Sequence, residues 1–364
     1  MPSRIDSDSG GFLGYARSGG GGSTGSPGRD FAIKLARLYN RDRWLFSPRR
    51  LGPRVDGVPL DRPIFLLGTQ GCGGTLIGRC LRRNRNVVTV SGGHQNWTGI
   101  DELGIVRNRT ARLPSSLWGT SERSDLAHPS FGAVHASAFA SSELLPLYRG
   151  TAEDAADGDA ERFRRLLREH IAVFAPDPAS ARFLDKTHAY SVKMPLISSL
   201  LDGAGPLFVL VVRNPYFACR WAVERKPPDF RPGLSRDERL RLVAEHWANM
   251  HRIALDDAAS IPNVTVVRLE DFLAEPEAVV RSLCAFTGLE YDPALVPRPG
   301  QKRPWATLPG DRKWYPLYVD DRLGRPTAAD TAIIGEHCWA LAERFGYSPD
   351  GSAAGSGTVE LLAG

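Results

Sequence analysis

Gly68, Gly71, Gly73 and Gly74, followed at once by Thr75, are the residues of this sequence best suited to chemistry on an anion. Glycine lets backbone N–H groups turn toward a ligand with no Cβ in the way, and Thr75 adds a hydroxyl donor. A short apolar run, Ile64–Leu67, precedes them, and a helical pattern with Leu76, Ile77, Cys80 and Leu81 on one face follows. A buried strand, a glycine turn and a helix N-terminus, with its unpaired donors and positive dipole end, together make a site fit for phosphate. The nucleotide-triphosphatase loop G-x-x-x-x-G-K-[ST] is met in its glycine spacing by Gly68 and Gly73, but Gly74 stands where its lysine belongs. That lysine is the point charge on the β/γ-phosphates, so ATP or GTP hydrolysis is a poor fit. A tight turn with no ligand is the alternative reading of these residues taken alone.

The rest of the chain supplies the elements that must carry such a loop. Val87–Val90 reads as a second short buried strand, and the polar stretch SGGHQNWTGIDELG lies at its C-terminal end, the edge where open α/β sheets bind ligands. Asp159–Ala175 is an amphipathic helix with Phe163, Leu166, Leu167, Ile171 and Phe174 on one face. RFLDKTHAYSVKMPLISSLL gives a strand, a polar turn and a helix, and Leu207–Val212 (LFVLVV) is the strongest strand, ending in Arg213-Asn214-Pro215. Ser235-x-x-Glu238 and Thr327-x-x-Asp330 are capping boxes that open two further helices. Val264–Val267 is another buried strand, and Glu277–Thr287 a helix closed by Gly288. Strands alternating with helices imply an α/β fold, a doubly wound and largely parallel central sheet flanked by helices. Residues 1–29 read as a disordered Gly/Ser-rich tail, 30–347 as a single α/β domain and 348–364 as a flexible tail. Residues 104–158, with a short helix expected at Ser141–Tyr148, form an excursion over the site.

Composition narrows the partners. The net charge is +5, from 46 basic and 41 acidic residues, with no dense basic block, which fits a small anionic ligand and not nucleic acid. The five cysteines are scattered, with no C-x-x-C pair, as expected of reduced thiols in a cytoplasmic setting. No apolar run approaches the roughly 18 residues of a membrane span. No Cys/His cluster has metal-ligand spacing, so no metal is expected. Nothing in the sequence sets an oligomeric state.

Taken in order, these pieces resemble a sulfotransferase that uses 3′-phosphoadenosine-5′-phosphosulfate (PAPS), over roughly residues 62–347. IFLLGTQGCGGTLIGRCL is similar to that family's 5′-phosphosulfate loop, a strand then G-x-P-[RK]-S-G-T-T-x-L. FLDKTHAYSVKMPLI resembles its E-K-[ST]-P-x-Y segment, and LFVLVVRNPYFACRW its 3′-phosphate segment, a strand then R-[DN]-P. VTVVRLEDFLAEPEAVVRSLCAFTGL resembles a later strand–helix unit, and GDRKWYPL a C-terminal nucleotide loop.

The resemblance implies PAPS as co-substrate. Loop residues Gly71, Cys72, Gly73, Gly74, Thr75 and Leu76 would hold its 5′-phosphosulfate. Arg213, which cannot lose its proton and binds phosphate bidentately, would hold its 3′-phosphate with Arg312 and Lys313. Two departures from the family bear on the chemistry. Gly71 replaces a loop Lys or Arg that neutralises charge on the departing oxygen, and Trp221 replaces a serine eight residues after the arginine. Lys186 aligns with a lysine that reaches the sulfuryl oxygens in part of the family and is the expected substitute. His94 occupies the place of the family's base, with Glu102 and Asp101 as the next candidates. His188 replaces the family's proline in the E-K-[ST]-P-x-Y segment.

The expected activity is transfer of a sulfuryl group from PAPS to a hydroxyl of a small-molecule or glycan acceptor by in-line displacement. The alternative, drawn from Gly71 and Trp221, is a weak or inactive sulfotransferase-like protein that binds nucleotide. A P-loop kinase fits worse, because its lysine is missing.

Overall fold

The structure is a computed structural model that describes residues 55–94, 101–106, 113–119, 130–132, 135–225, 230–297 and 324–349. Arg312 and Lys313, the N-terminal tail and most of the C-terminal one lie outside the described residues.

Five parallel strands form the centre: β1 (Ile64–Leu67), β2 (Val87–Val88), β3 (Arg182–Asp185), β4 (Leu207–Val212) and β5 (Val264–Arg268), in the order β2-β3-β1-β4-β5. All four neighbouring pairs are parallel, which requires crossovers and buries both faces of the sheet. Alternation along β4 shows how. Leu207, Val209 and Val211 join Ile64 and Leu66 in one apolar cluster, and Phe208, Leu210 and Val212 join Phe65 and Leu67 in the other, as the two-residue side-chain period demands. The first cluster is covered by α1 (Gly74–Leu81). The second is covered by α2 (Asp159–Phe174), α3 (Met194–Leu200), α4 (Pro215–Arg225) and α5 (Arg236–Ala258). Leu269 and Phe272 of α6 (Leu269–Ala274) and Val280 and Leu283 of α7 (Pro276–Thr287) complete the first side. Ile334 and Cys338 of α8 (Ala328–Arg344) complete the second. The doubly wound α/β fold expected from the sequence is therefore observed.

Both expected capping boxes form. Ser235 Oγ accepts the Glu238 amide while Glu238 returns a bond to the Ser235 amide, and Thr327 and Asp330 do the same for α8. Two elements are shorter than their sequence suggests. β2 ends at Val88, because the chain turns at once into a tight Thr89–Gly92 pairing. Only Leu145–Tyr148 of the stretch from Ser141 is helical, preceded by successive turns.

Candidate active site

The register brings the expected residues to one edge of the sheet. β1 pairs with β4 as Leu67↔Leu210 and with β3 as Phe65↔Asp185. The glycine loop that leaves β1 is thus flanked by the segment after β3 (Lys186, His188) and the segment after β4 (Arg213). Side chains from both flanks hold it. Ser191 Oγ accepts the Gly68 amide (2.8 Å), His188 Nδ1 donates to the Gly68 carbonyl (2.9 Å), and Arg213 Nη1 donates to the Gly71 carbonyl (3.1 Å).

Gly73 is the N-cap of α1 with φ +99, a conformation open to glycine at low cost, and the side chain of Leu269 packs over it. The Cys72 amide donates to the Thr69 carbonyl and the Leu76 amide to the Gly73 carbonyl. Both side chains are buried in the apolar cluster, and burial pushes the Cys72 thiol up to about 11. Of the six loop residues expected to face an anion, Cys72 and Leu76 thus have their amides engaged within the loop, and Gly71, Gly73, Gly74 and Thr75 are the other four. The last three open the helix, where amides have no intrahelical acceptor.

Lys186 runs alongside the loop, its Cγ and Cδ 3.7 Å from where a Cβ on Gly74 would stand. Its ammonium donates to Glu102 Oε1 at 2.7 Å, with 5% of the Lys186 side chain and 21% of the Glu102 side chain exposed. Burial alone would lower the Lys186 pKa, but Glu102 outweighs it and holds the ammonium above its usual range. Burial likewise pushes Glu102 up, and Lys186, then His188, more than offset it, leaving the carboxylate below its usual range.

The other base candidates sit differently. Asp101 is buried in a structural network, where its Oδ1 accepts from Thr89 Oγ1 (2.7 Å) and Ser91 Oγ (2.8 Å) and pairs with Arg82 (3.3 Å). His94 is half-buried at the end of the turn after β2, beyond Gly93, which abuts the Phe174 carbonyl. With β3 lying between β2 and β1, His94 belongs to a strand end about 10 Å from the loop's own strand, at roughly 4.8 Å per strand. Asp185, at the end of β3, ties the Glu102 and Lys186 segments together. It accepts the Leu103 amide (2.7 Å) and the Thr187 amide (2.7 Å).

Each residue of Arg213-Asn214-Pro215 has its own task. Arg213 reaches the loop. Asn214 Oδ1 accepts the Tyr216 amide (2.9 Å), and Pro215 opens α4, where a missing N–H costs nothing. Glu270 accepts the Asn214 amide (3.0 Å) and the Tyr347 hydroxyl (2.7 Å), fixing this turn to β5 and the C-terminal segment. Trp221, eight residues on, lies against Gly71: a Cβ on Gly71 would stand 2.6 Å from Trp221 Cε3. Sequence reasoning named both residues but not their contact.

A strand, a glycine loop and a helix N-terminus, with a buried lysine on one side and a buried arginine on the other, define an α/β protein whose loop is flanked by two cations. A profile of the sulfotransferase family matches residues 63–293. The match spans more than half of the chain, which therefore belongs to that family. Among solved structures, the sulfotransferase STF9 from Mycobacterium avium is similar over 96% of this chain and 94% of its own, at 14% identity and a TM-score of 0.54. The sulfotransferase domain of the Synechococcus PCC 7002 olefin synthase matches at 16% identity over 77% of this chain and 96% of its own, with a TM-score of 0.44. A search of curated proteins gave no match. Among the described residues, no helix is long and apolar enough to cross a membrane, and no group of three or more His, Cys, Asp or Glu side chains is placed to hold a metal ion.

Proposed function

We propose that this chain transfers a sulfuryl group from PAPS to the hydroxyl of a small-molecule or glycan acceptor. The observation that carries the reading is the bond from Arg213 to the Gly71 carbonyl at 3.1 Å. It sets a permanent cation beside the helix-end amides, so donors for two anionic groups of one ligand converge on a single sheet edge. The donor set suits PAPS: amides of Gly73, Gly74 and Thr75 for the 5′-phosphosulfate, Arg213 for the 3′-phosphate. Bound PAPS would supply the sulfuryl group, whose sulfur bonds to the acceptor oxygen as its bond to the bridging oxygen breaks.

Lys186 takes the place of the missing loop cation. An ammonium has three donors, and Glu102 engages one of them, leaving the others for charge that grows on the departing oxygen. Charge stabilisation present only in the transition state raises the rate. Glu102 takes the acceptor's proton by virtue of position, its carboxylate lying on Lys186 while His94 follows a strand two places from the loop, and it does so as a base weakened by that same ion pair. His188, bonded to the loop at Gly68, orients the loop beside them.

The test pairs two measurements on the full chain: calorimetric binding of 3′-phosphoadenosine-5′-phosphate, and transfer of labelled sulfate from PAPS across an acceptor panel. Binding with transfer supports the reading. Binding without transfer to any acceptor favours the inactive nucleotide-binding alternative, which Gly71 and Trp221 motivate. Absence of binding overturns both.

A further inference from the structure

Between the start of the loop and helices α4 and α5 lies a small cavity, lined by Thr69, Gln70, Ala218, Ala222, His246 and Trp247 among others. It has about 10 Å³ of room for the centre of a water molecule, the scale that admits one oxygen-sized guest. Its polar lining comprises the Ser137 hydroxyl and three atoms, Thr69 Oγ1, Gln70 Oε1 and His246 Nε2, that have no hydrogen-bond partner among the described residues. Thr69 is 4% exposed and His246 1%. Buried donors and acceptors are very seldom left unmatched, because each forfeits its bonds to solvent.

The proton on His246 is fixed by its other nitrogen. Nδ1 accepts the Ala140 amide at 3.0 Å, so in the neutral ring the proton sits on Nε2. A ring buried against Phe139, with centroids 4.5 Å apart, stays neutral. The guest must therefore accept from His246 Nε2–H and donate to Gln70 Oε1. A carboxylate has no proton to donate and an ammonium has no lone pair to accept with. A hydroxyl oxygen does both, and the Thr69 hydroxyl can serve it in either sense.

We propose that this cavity is a binding site for a single uncharged hydroxyl oxygen, which ties His246 of α5 to Thr69 and Gln70 of the loop. Gly68 and Gly71 are held by Ser191, His188 and Arg213, and the bridging oxygen holds the two residues between them. His246 is then a positioning residue for the loop. The oxygen belongs either to water or to an alcohol group of the acceptor. The site itself does not depend on PAPS and is read from the peak alone, whereas the positioning role, read through nucleotide affinity, rests on the proposed function.

The test is crystallographic, on the full chain, at a resolution that shows ordered waters, with and without a soak in methanol as the minimal alcohol. The expected result is one peak within 2.7–3.2 Å of His246 Nε2, Gln70 and Thr69, the ordinary hydrogen-bond range. Retention after the soak identifies a resident water, and replacement by methanol identifies a position open to acceptor hydroxyls; both support the site. No peak, or the three atoms bonded to other protein groups, overturns it. His246→Asn retains an acceptor for the Ala140 amide but removes the Nε2 donor together with the ring packed on Phe139, so Thr69→Val, which removes only the hydroxyl, is the stricter of the two variants. Each should lose the peak and weaken 3′-phosphoadenosine-5′-phosphate binding about fivefold, the worth of roughly one hydrogen bond, with the far-ultraviolet spectrum of the folded chain retained. Unchanged affinity in both variants overturns the positioning role even if the peak is present.

Discussion

The indole of Trp221 lies on Gly71, so that a Cβ there would stand 2.6 Å from Cε3 and 2.7 Å from Cζ3. Both are positions where the sequence departs from the resemblance drawn above, and the contact makes those two departures one feature. An aromatic ring on α4 occupies the space beside the loop that a longer side chain at position 71 would need. Gly71 also has φ +85, a conformation L side chains rarely adopt.

Restoring the loop cation in isolation should therefore harm the protein. Gly71→Lys is expected to lower stability by about 1–3 kcal/mol, from overpacking and the left-handed backbone, and to weaken nucleotide binding. Adding Trp221→Ser should recover part of both losses. A double-mutant cycle by urea unfolding is expected to give a coupling of about 1 kcal/mol or more between the two positions. Additive effects would mean that the ring moves aside freely.

Lys186→Ala should lower sulfuryl transfer by about 10²-fold or more, the usual worth of a transition-state charge contact. Transfer within about threefold of the parent would reject that role. Glu102→Gln should lower transfer by about 10²-fold or more, as loss of a general base does. It should leave 3′-phosphoadenosine-5′-phosphate bound, because Arg213 and the helix amides are untouched. His94→Ala serves as the contrast: retained turnover at neutral pH places the base at Glu102, and collapse returns it to His94.

Much of this was legible in the residues. Six consecutive apolar side chains at Leu207–Val212, three of them valine and the run closed by Asn214-Pro215, favour a strand buried on both faces, and Ser235 with Glu238 marks a helix start because the two side chains satisfy each other's amides. The loop was readable from its glycines and the run before it. Contacts across the fold were not. Asp101 and Glu102 are neighbours with the same chemistry, yet one is locked onto Arg82, Thr89 and Ser91 and the other reaches Lys186, a division set by which way the backbone turns. The commitment of the Cys72 and Leu76 amides to Thr69 and Gly73 depends on loop geometry that glycine spacing leaves open. Trp221 over Gly71 joins residues from separate crossovers, which no local pattern encodes.

Arg213→Lys separates charge from geometry. The variant keeps the cation but loses the planar fork that reaches the Gly71 carbonyl and that the proposed function assigns to bidentate phosphate binding. Affinity for 3′-phosphoadenosine-5′-phosphate is expected to fall by about tenfold or more, equivalent to roughly 1.4 kcal/mol. Adenosine 5′-phosphate, which lacks the 3′-phosphate, should be affected less. Equal losses for the two nucleotides would show that Arg213 acts by shaping the loop alone.

The pH dependence of stability tests the buried groups around the site. Burial lowers His246 and His251 to about 3, so from about 6.5 down to 3 the unfolded chain binds two more protons than the native one at these positions, and their contribution is lost as pH falls. Burial raises Asp185 to about 7, so between about 4 and 7 the native chain binds one more proton there, and that contribution is lost as pH rises. Over pH 4.5 to 6 the three leave the unfolded chain ahead by one proton, a loss of about 1.4 kcal/mol per unit of acidification. His246→Asn removes one of the two histidines and should flatten the slope of urea-unfolding free energy against pH by about that amount. Asp185→Asn removes the opposing carboxyl and should steepen it by the same. These differences between variants cancel every other titrating group. A slope unchanged in His246→Asn would mean that the native ring takes up its proton, which would turn Nδ1 into a donor facing the Ala140 N–H and break the contact on which the orientation of Nε2 depends.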